Sequence, residues 1–119
     1  MVTAATIYLS LLGSEGLRRV AAQCHANTRA LVSALSSIGG ISSLVTPFFH
    51  EAVLTLPRPV APVLQQLAAR GILGGFDLSA DFPELGHALL VCATELRTAE
   101  DIAAYRTALA AILGVAVAA

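Results

Sequence analysis

The sequence predicts an α+β fold of two layers, in which a mainly antiparallel sheet carries helices on one face. Its 119 residues suit one domain that can bury a core of its own. Apolar side chains recur at helical spacing in some segments and alternate in others, which gives the order α-α-β-β-α-β-β-α. The strands come partly as adjacent pairs, which favours antiparallel pairing. Without internal repeats or linker-like composition, residues 1–119 are predicted to form a single domain.

Two helices are predicted at the start of the chain. The first runs from Thr3 to Leu12 and ends at Gly13, and Ser14 and Glu15 supply a cap and a favourable charge for the second. The second helix is predicted to end at a glycine pair. Its apolar stripe has spacings of three and four residues and comprises Leu17, Val20, Ala21, Cys24, Thr28, Leu31, Leu35 and Ile38. The first helix has little polar face, so we expect it to pack against a neighbour.

Two strands and a helix follow. Ile41 to Val45 is predicted to be a short strand, and His50 to Leu56 alternates as a strand that could pair with it. Pro57 and Pro59 end the second strand. A helix with an inward apolar face begins after them and ends at Gly71.

The rest of the chain, from residue 71 onward, is predicted to hold a flexible segment, a loop, a strand and a helix. Glycines should make 71–76 flexible, and a polar loop should cover 79–86. His87 to Thr94 is predicted to be a strand. Thr98 is predicted to cap the final helix, whose inward face comprises Ile102, Tyr105, Leu109, Ile112 and Leu113.

Composition restricts the possible partners and compartments. Hydrophobic residues make up 56% of the chain and charged residues 13%, which indicates that part of the surface is covered by something else. The net charge is -1 and the basic residues are scattered arginines, which argues against nucleic acid. The apolar start is too short to span a membrane and lacks the features of a signal peptide. Two distant cysteines fit a reducing compartment, so we expect a cytoplasmic protein.

The search for catalytic chemistry gives mainly exclusions. The chain contains no lysine, so it cannot form a covalent bond to pyridoxal phosphate (PLP). It also lacks dinucleotide-binding, P-loop, nucleophile-elbow and zinc-protease motifs. The glycines of 71–75 are interpreted as turn and packing residues rather than as a phosphate-binding loop. We therefore predict no catalytic and no cofactor-binding residue.

The histidines and cysteines are interpreted as structural residues. His25, His50 and His87 do not have the spacing of a metal site, so no metal ligand is predicted. Cys24 and Cys92 lie in apolar patterns and are predicted to be small buried hydrophobes rather than nucleophiles.

Arg97 is the one candidate for substrate binding. It lies in the segment Thr94–Thr98, where a buried strand meets a helix, and its guanidinium group could bind a carboxylate through two hydrogen bonds. The alternative is that Glu95 and Arg97 form a surface ion pair and that Thr98 is simply the helix cap.

Several segments, in the right order over nearly the whole chain, resemble one protein family. The segment from Ala4 to Leu17 resembles the part that follows the large domain in glycine dehydrogenase (decarboxylating) subunit 1, a component of the P-protein of the glycine cleavage system. Four shorter motifs also resemble segments of this family. They are Pro47-Phe48-Phe49-His50-Glu51, Arg70-Gly71-Ile72-Leu73-Gly74-Gly75, Phe82-Pro83-Glu84-Leu85 and Thr94-Glu95-Leu96-Arg97-Thr98. In the first of them, His50 stands where the family usually has Asn.

The resemblance implies the C-terminal small domain of a fold type I PLP-dependent enzyme. Residues 1–13 would be a helix that links to a large domain. Met1 to Thr3 would stand in place of the residues that connect to that domain. The large domain of the same subunit, the PLP-bearing subunit 2 and H-protein would be its partners. The assembly would decarboxylate glycine and pass the aminomethyl group to the lipoyl arm of H-protein. This chain alone would be inactive.

A second hypothesis belongs to a different class of protein. The chain would be a free-standing α+β module that binds a small ligand or regulates another protein, and that dimerises through its apolar surface. A discrete dimer at low concentration would favour this module. The first hypothesis also allows the severed domain to form a homodimer.

Overall fold

The computed structural model describes residues 1–44 and 47–116. Within them lie α1 (Val2–Ser36), β1 (Ser42–Ser43), β2 (Glu51–Thr55), α2 (Val60–Ala69), β3 (Phe76–Asp77), β4 (Ala88–Cys92) and α3 (Ala99–Leu113), with a short 3-10 turn at Pro83–Leu85. The four strands form one sheet in the order β1-β2-β4-β3, and every neighbouring pair is antiparallel. The predicted α+β class with a mainly antiparallel sheet is therefore confirmed.

The core lies between one face of the sheet and the three helices. The register pairs Ala52 with Val91 and Leu54 with Leu89, and all four side chains are buried. The alternate positions of β2 are more exposed, as expected for a sheet that carries helices on one face. The helices cover the buried face mainly through Leu31, Leu35, Val60, Val63, Leu67, Tyr105, Leu109 and Ile112.

Helix α1 is interrupted at Gly13. This residue has φ 67° and ψ -177°, a conformation that is open to glycine and strained for other residues. The two predicted N-terminal helices therefore correspond to 2–12 and 14–36 of α1. The second part ends at Ser36, two residues before the predicted Ile38, and Gly40 has the left-handed φ of 89° that lets the chain turn.

The first part of α1 projects from the rest of the molecule. Residues 1–11 are all exposed, and the predicted stripe of the second part is buried only from Thr28 onward. The radius of gyration is 15.7 Å, whereas a compact chain of this length has about 13 to 14 Å. A helix with little polar face thus lies in the open.

All three strands whose bounds are predicted are shorter in the structure, and the one predicted from His50 to Leu56 is Glu51–Thr55. The first covers only Ser42–Ser43, and the predicted end at Val45 lies outside the described residues. It pairs with β2 as expected. The strand predicted from His87 to Thr94 is Ala88–Cys92.

The glycines of the segment 71–76, which is predicted to be flexible, differ in how closely they are packed. The short strand β3 begins at Phe76, and both glycines before it are closely packed. A side chain on Gly74 would lie 2.7 Å from Leu67 Cδ1, and one on Gly75 would overlap the backbone oxygen of Leu90. Gly74 and Gly75 thus serve close packing, as interpreted from the sequence, whereas nothing lies within 4 Å of the position of a Cβ atom on Gly71.

No helix in the described residues is long and apolar enough to cross a membrane.

Candidate functional site beside Arg97

A groove lies where β4 ends and α3 begins. Its volume is about 340 Å³, and its walls are the 71–74 segment, the end of β4 and the first two turns of α3. Arg97 and Asp101 provide its charged groups, and Tyr105 forms part of its lining. The structure thus places the predicted candidate Arg97 at a concave surface.

The ion pair of Arg97 differs from the sequence prediction. Its Nη1 lies 3.8 Å from Asp101 Oδ2, one helical turn further along, rather than beside Glu95. The Arg97 side chain is 53% exposed and that of Asp101 is 45% exposed, so the pair is weak. The guanidinium group therefore remains accessible to a second anion.

Asp101 is engaged mainly with the start of α3. The Thr98 N–H donates to Asp101 Oδ2 at 2.9 Å, and the Asp101 N–H donates to Thr98 Oγ1 at 3.1 Å. The hydrogen bond from the Thr98 backbone lowers the pKa of Asp101, and Arg97 adds a smaller effect in the same direction. The predicted cap at Thr98 is thus present as a reciprocal capping box.

The turn that carries Arg97 is fastened to α1. Asn27 Nδ2 donates to the backbone oxygens of Thr94 and Arg97, at 2.8 Å and 2.9 Å. The Cys24 thiol donates to Glu95 Oε2 at 3.4 Å. Neither contact could be predicted from local sequence, because both join residues about 70 positions apart.

The two cysteines are less buried than predicted. Cys24 is half-buried, and its pKa is raised by partial burial and by the neighbouring Glu95 carboxylate, which favours the neutral thiol over the thiolate. Cys92 is exposed at the groove wall, because strand alternation turns it away from the buried Val91 and Ala93. The prediction that Cys92 is buried was therefore wrong.

Tyr105 connects α3 to the glycine segment. Its hydroxyl donates to the backbone oxygen of Gly74 at 2.8 Å, and burial raises its pKa well above the ordinary value. The Arg70–Gly75 motif therefore contributes packing contacts with Leu67 and Tyr105.

The donor groups near the groove do not fit PLP as a covalently held cofactor, since the chain has no lysine. In the described residues, no three His, Cys, Asp or Glu side chains come together as a metal site. His25 instead lies with its Nδ1 2.9 Å from the backbone oxygen of Phe49, next to the Phe48 and Phe49 rings. His50 and His87 directly precede β2 and β4. The groove can therefore offer a cation to a carboxylate, and little other chemistry.

The chain is similar over almost its whole length to several curated proteins. No protein-family model matches the chain. It is 58% identical over 114 residues to a Methylococcus capsulatus protein named "Probable glycine dehydrogenase (decarboxylating) subunit 1", and 56% identical over 114 residues to the protein of that name from Legionella pneumophila. Each match covers 95% of this chain and 25% of the relative. The chain thus spans about a quarter of the length of the curated relatives that it matches.

Comparison with solved structures agrees. A crystal structure of glycine decarboxylase (P-protein) of the glycine cleavage system, in inhibitor-bound form, matches with a TM-score of 0.82 and 34% identity, over 89% of this chain and 24% of that one. A NifS-like protein matches with a TM-score of 0.68 at 18% identity, over 84% of this chain and 30% of that one, which shows a shared fold. The fold is thus one that occurs in fold type I PLP-dependent enzymes. Over 95% of its length, this chain is therefore similar to about a quarter of the glycine dehydrogenase (decarboxylating) subunit 1 proteins.

Proposed function

We propose that this chain is the C-terminal small domain of subunit 1 of glycine dehydrogenase (decarboxylating), with residues 1–13 linking it to the large domain of the same subunit. The observation that carries this proposal is the 58% identity over 114 residues to such a protein, together with the match to a P-protein structure at a TM-score of 0.82. In the assembly, the PLP-bearing subunit 2 and H-protein are its further partners. The whole assembly decarboxylates glycine and passes the aminomethyl group to the lipoyl arm of H-protein, in the cytoplasm. The chain alone is inactive.

The first part of α1 supports the proposal that a large partner surface packs against this chain. Ile7, Leu9 and Leu11 are exposed, and the chain carries no charged side chain before Glu15. The hydroxyls of Thr6 and Ser10 donate to the backbone oxygens of Val2 and Thr6, so they need no water. A protein partner can surround a helix of this kind on several sides at little cost in free energy, because few polar groups are removed from water.

The partner that fits this helix best is the rest of the same polypeptide. The relatives carry about three quarters of their length outside the matched part. Continuity of the chain would place that part beside the start of α1, where the exposed apolar side chains lie. The high apolar content of the chain fits the same interpretation.

A titration tests the proposed interface. The chain, labelled with a fluorophore, is titrated with the remaining three quarters of the M. capsulatus subunit 1, expressed as a separate protein. We expect a complex with one copy of each, which Leu11→Asp abolishes and Gln65→Asp, at an exposed position of α2, leaves intact. A discrete homodimer that does not bind the added protein would instead support the hypothesis of a free-standing module.

The proposed role of Arg97 is to bind a carboxylate in the assembled enzyme. Its accessible guanidinium group, its place in the groove and its weak ion pair with Asp101 support that role. No residue of this chain is proposed to bind the cofactor.

Kinetics test the role of Arg97. In the intact subunit, assembled with subunit 2, Arg97→Ala should raise the KM for glycine in the glycine-dependent exchange of bicarbonate by about tenfold or more, because a charged hydrogen bond is lost. Arg29→Ala, at another exposed position, serves as the control. Unchanged kinetics in the Arg97 variant would remove this residue from the site.

A further inference from the structure

Helix α1 carries two adjacent buried polar residues. Asn27 is 8% exposed and Thr28 is fully buried, and they are the only polar residues found buried in the described parts of the chain. Thr28 Oγ1 lies 3.2 Å from the backbone oxygens of His50 and Ala93 and accepts from the Ala93 N–H at 3.3 Å. Thr28 thus forms hydrogen bonds with the buried backbone at the end of β4, whereas Asn27 forms hydrogen bonds with the turn that follows.

The orientation of the Asn27 amide is fixed by its neighbours. Its nitrogen faces two backbone oxygens, which can only accept hydrogen bonds, and its Oδ1 accepts from Gln23 Nε2 at 2.8 Å. Because the two backbone oxygens belong to Thr94 and Arg97, one amide group holds both ends of the turn.

The turn has few other supports. Within it, the Arg97 N–H donates to the Thr94 backbone oxygen at 3.2 Å and the Leu96 N–H donates to Thr94 Oγ1 at 3.3 Å. The side chains of Thr94, Leu96 and Arg97 are exposed, so apolar burial contributes little. Cys24 adds a single long hydrogen bond to Glu95. The two bonds from Asn27 therefore dominate the anchoring of the turn.

We infer that Asn27 is a positioning residue, which holds the turn 94–97 so that Arg97 presents its guanidinium group to the groove. The inference rests on the proposed carboxylate contact of Arg97. A long side chain binds more tightly when its backbone is already fixed, because less conformational entropy is lost on binding. Asn27 does not line the groove and so acts through Arg97.

The test compares Asn27→Asp with Gln23→Ala in the full 119-residue chain. Asn27→Asp keeps the shape of the side chain but removes both donors. Gln23→Ala removes the bond on the other side of Asn27 and leaves the turn untouched. Amide hydrogen exchange of residues 96–97 is measured by NMR relative to Leu89 and Val91 of β4, and binding of acetate is followed through the signal of Arg97 Nε.

Asn27→Asp should speed amide hydrogen exchange in the turn by about tenfold or more relative to its effect on β4, and it should weaken acetate binding about fivefold or more. Gln23→Ala should change neither the ratio of exchange between turn and strand nor the affinity for acetate. An equal rise in turn and strand, or unchanged turn exchange with unchanged acetate affinity, would overturn the inference. If Asn27→Asp does not fold, Asn27→Ser replaces it.

A measurement on the unaltered chain needs no variant. The two Asn27 Nδ2 protons should exchange more slowly than those of exposed side-chain amides such as Gln65, and equal rates would overturn the inference. If acetate fails to shift Arg97 in the unaltered chain, the proposed carboxylate contact fails, while the exchange ratio still decides the role of Asn27.

Discussion

Single residues decide how closely the segments around the groove approach each other. Gly75 has a φ of 145° and lies against the backbone oxygen of Leu90, so that neither its conformation nor its surroundings accept a side chain. Gly71 also has a positive φ, of 79°, but nothing lies within 4 Å of the position of a Cβ atom. The two positions therefore separate the cost of backbone strain from the cost of steric overlap.

Gly75→Ala should lower the free energy of unfolding by about 3 kcal/mol or more, because β3 must move away from β4. Gly71→Ala should cost only about 1 to 2 kcal/mol, from backbone strain alone. Unfolding in urea measures both. Equal losses would show that β3 yields readily to the added methyl group.

Tyr105 gives the stability a dependence on alkaline pH. Burial raises its pKa in the folded protein, so the unfolded chain releases the proton first. The stabilising effect is complete below about pH 10, the ordinary tyrosine pKa, and is lost as the pH rises further. Between pH 8 and pH 11, the free energy of unfolding should therefore fall more steeply for the unaltered chain than for Tyr105→Phe. Parallel curves for the two proteins would contradict this account.

The candidate site was only partly predictable at the residue scale. Arg97 stood out because its polar segment follows an apolar strand, and the structure places it in the groove. Its ion pair with Asp101 has helical i,i+4 spacing and could have been anticipated. The contacts of Asn27 and Cys24 could not, because local sequence carries no information about partners about 70 residues away.

At the scale of elements, helix α1 combines a buried half and an exposed half. Leu35 is fully buried in the core, and Leu11 is 82% exposed. Both are leucines on the same helix, so they report separately on the core and on the surface that we propose to be covered in the full-length protein.

Leu35→Ala should destabilise the isolated chain by about 2 to 5 kcal/mol, because it leaves a cavity in the core. Leu11→Ala should change its stability by less than about 0.5 kcal/mol. Thermal unfolding of both variants tests this contrast. A large loss for Leu11→Ala would mean that the start of α1 already packs against this chain.

The longer elements followed directly from periodicity. The stripes of α2 and α3, the stripe of α1 from Thr28 onward and the alternation in β2 mark faces that are buried in the structure, since each element is long enough to repeat its pattern. Strands β1 and β3 have two residues each, too few for any pattern, and the pairing of β3 with β4 depends on the closely packed Gly75.

At the scale of the whole molecule, the apolar composition and the projecting helix both indicate a surface that a partner covers. The chain has a complete core of its own, yet its first eleven residues are exposed and largely apolar. Its relatives are about four times as long. The small domain that we propose would cover this surface with the larger body of the same polypeptide, whereas a free-standing module would need a second copy to cover it.

The most direct test replaces the matching quarter of the M. capsulatus subunit 1 with this chain, assembles the hybrid with subunit 2, and measures glycine-dependent exchange of bicarbonate. We predict activity within about tenfold of the unaltered enzyme, since 58% identity over 114 residues should preserve the contacts between domains. A hybrid that folds and assembles but shows no exchange would contradict the assignment of this chain to glycine dehydrogenase.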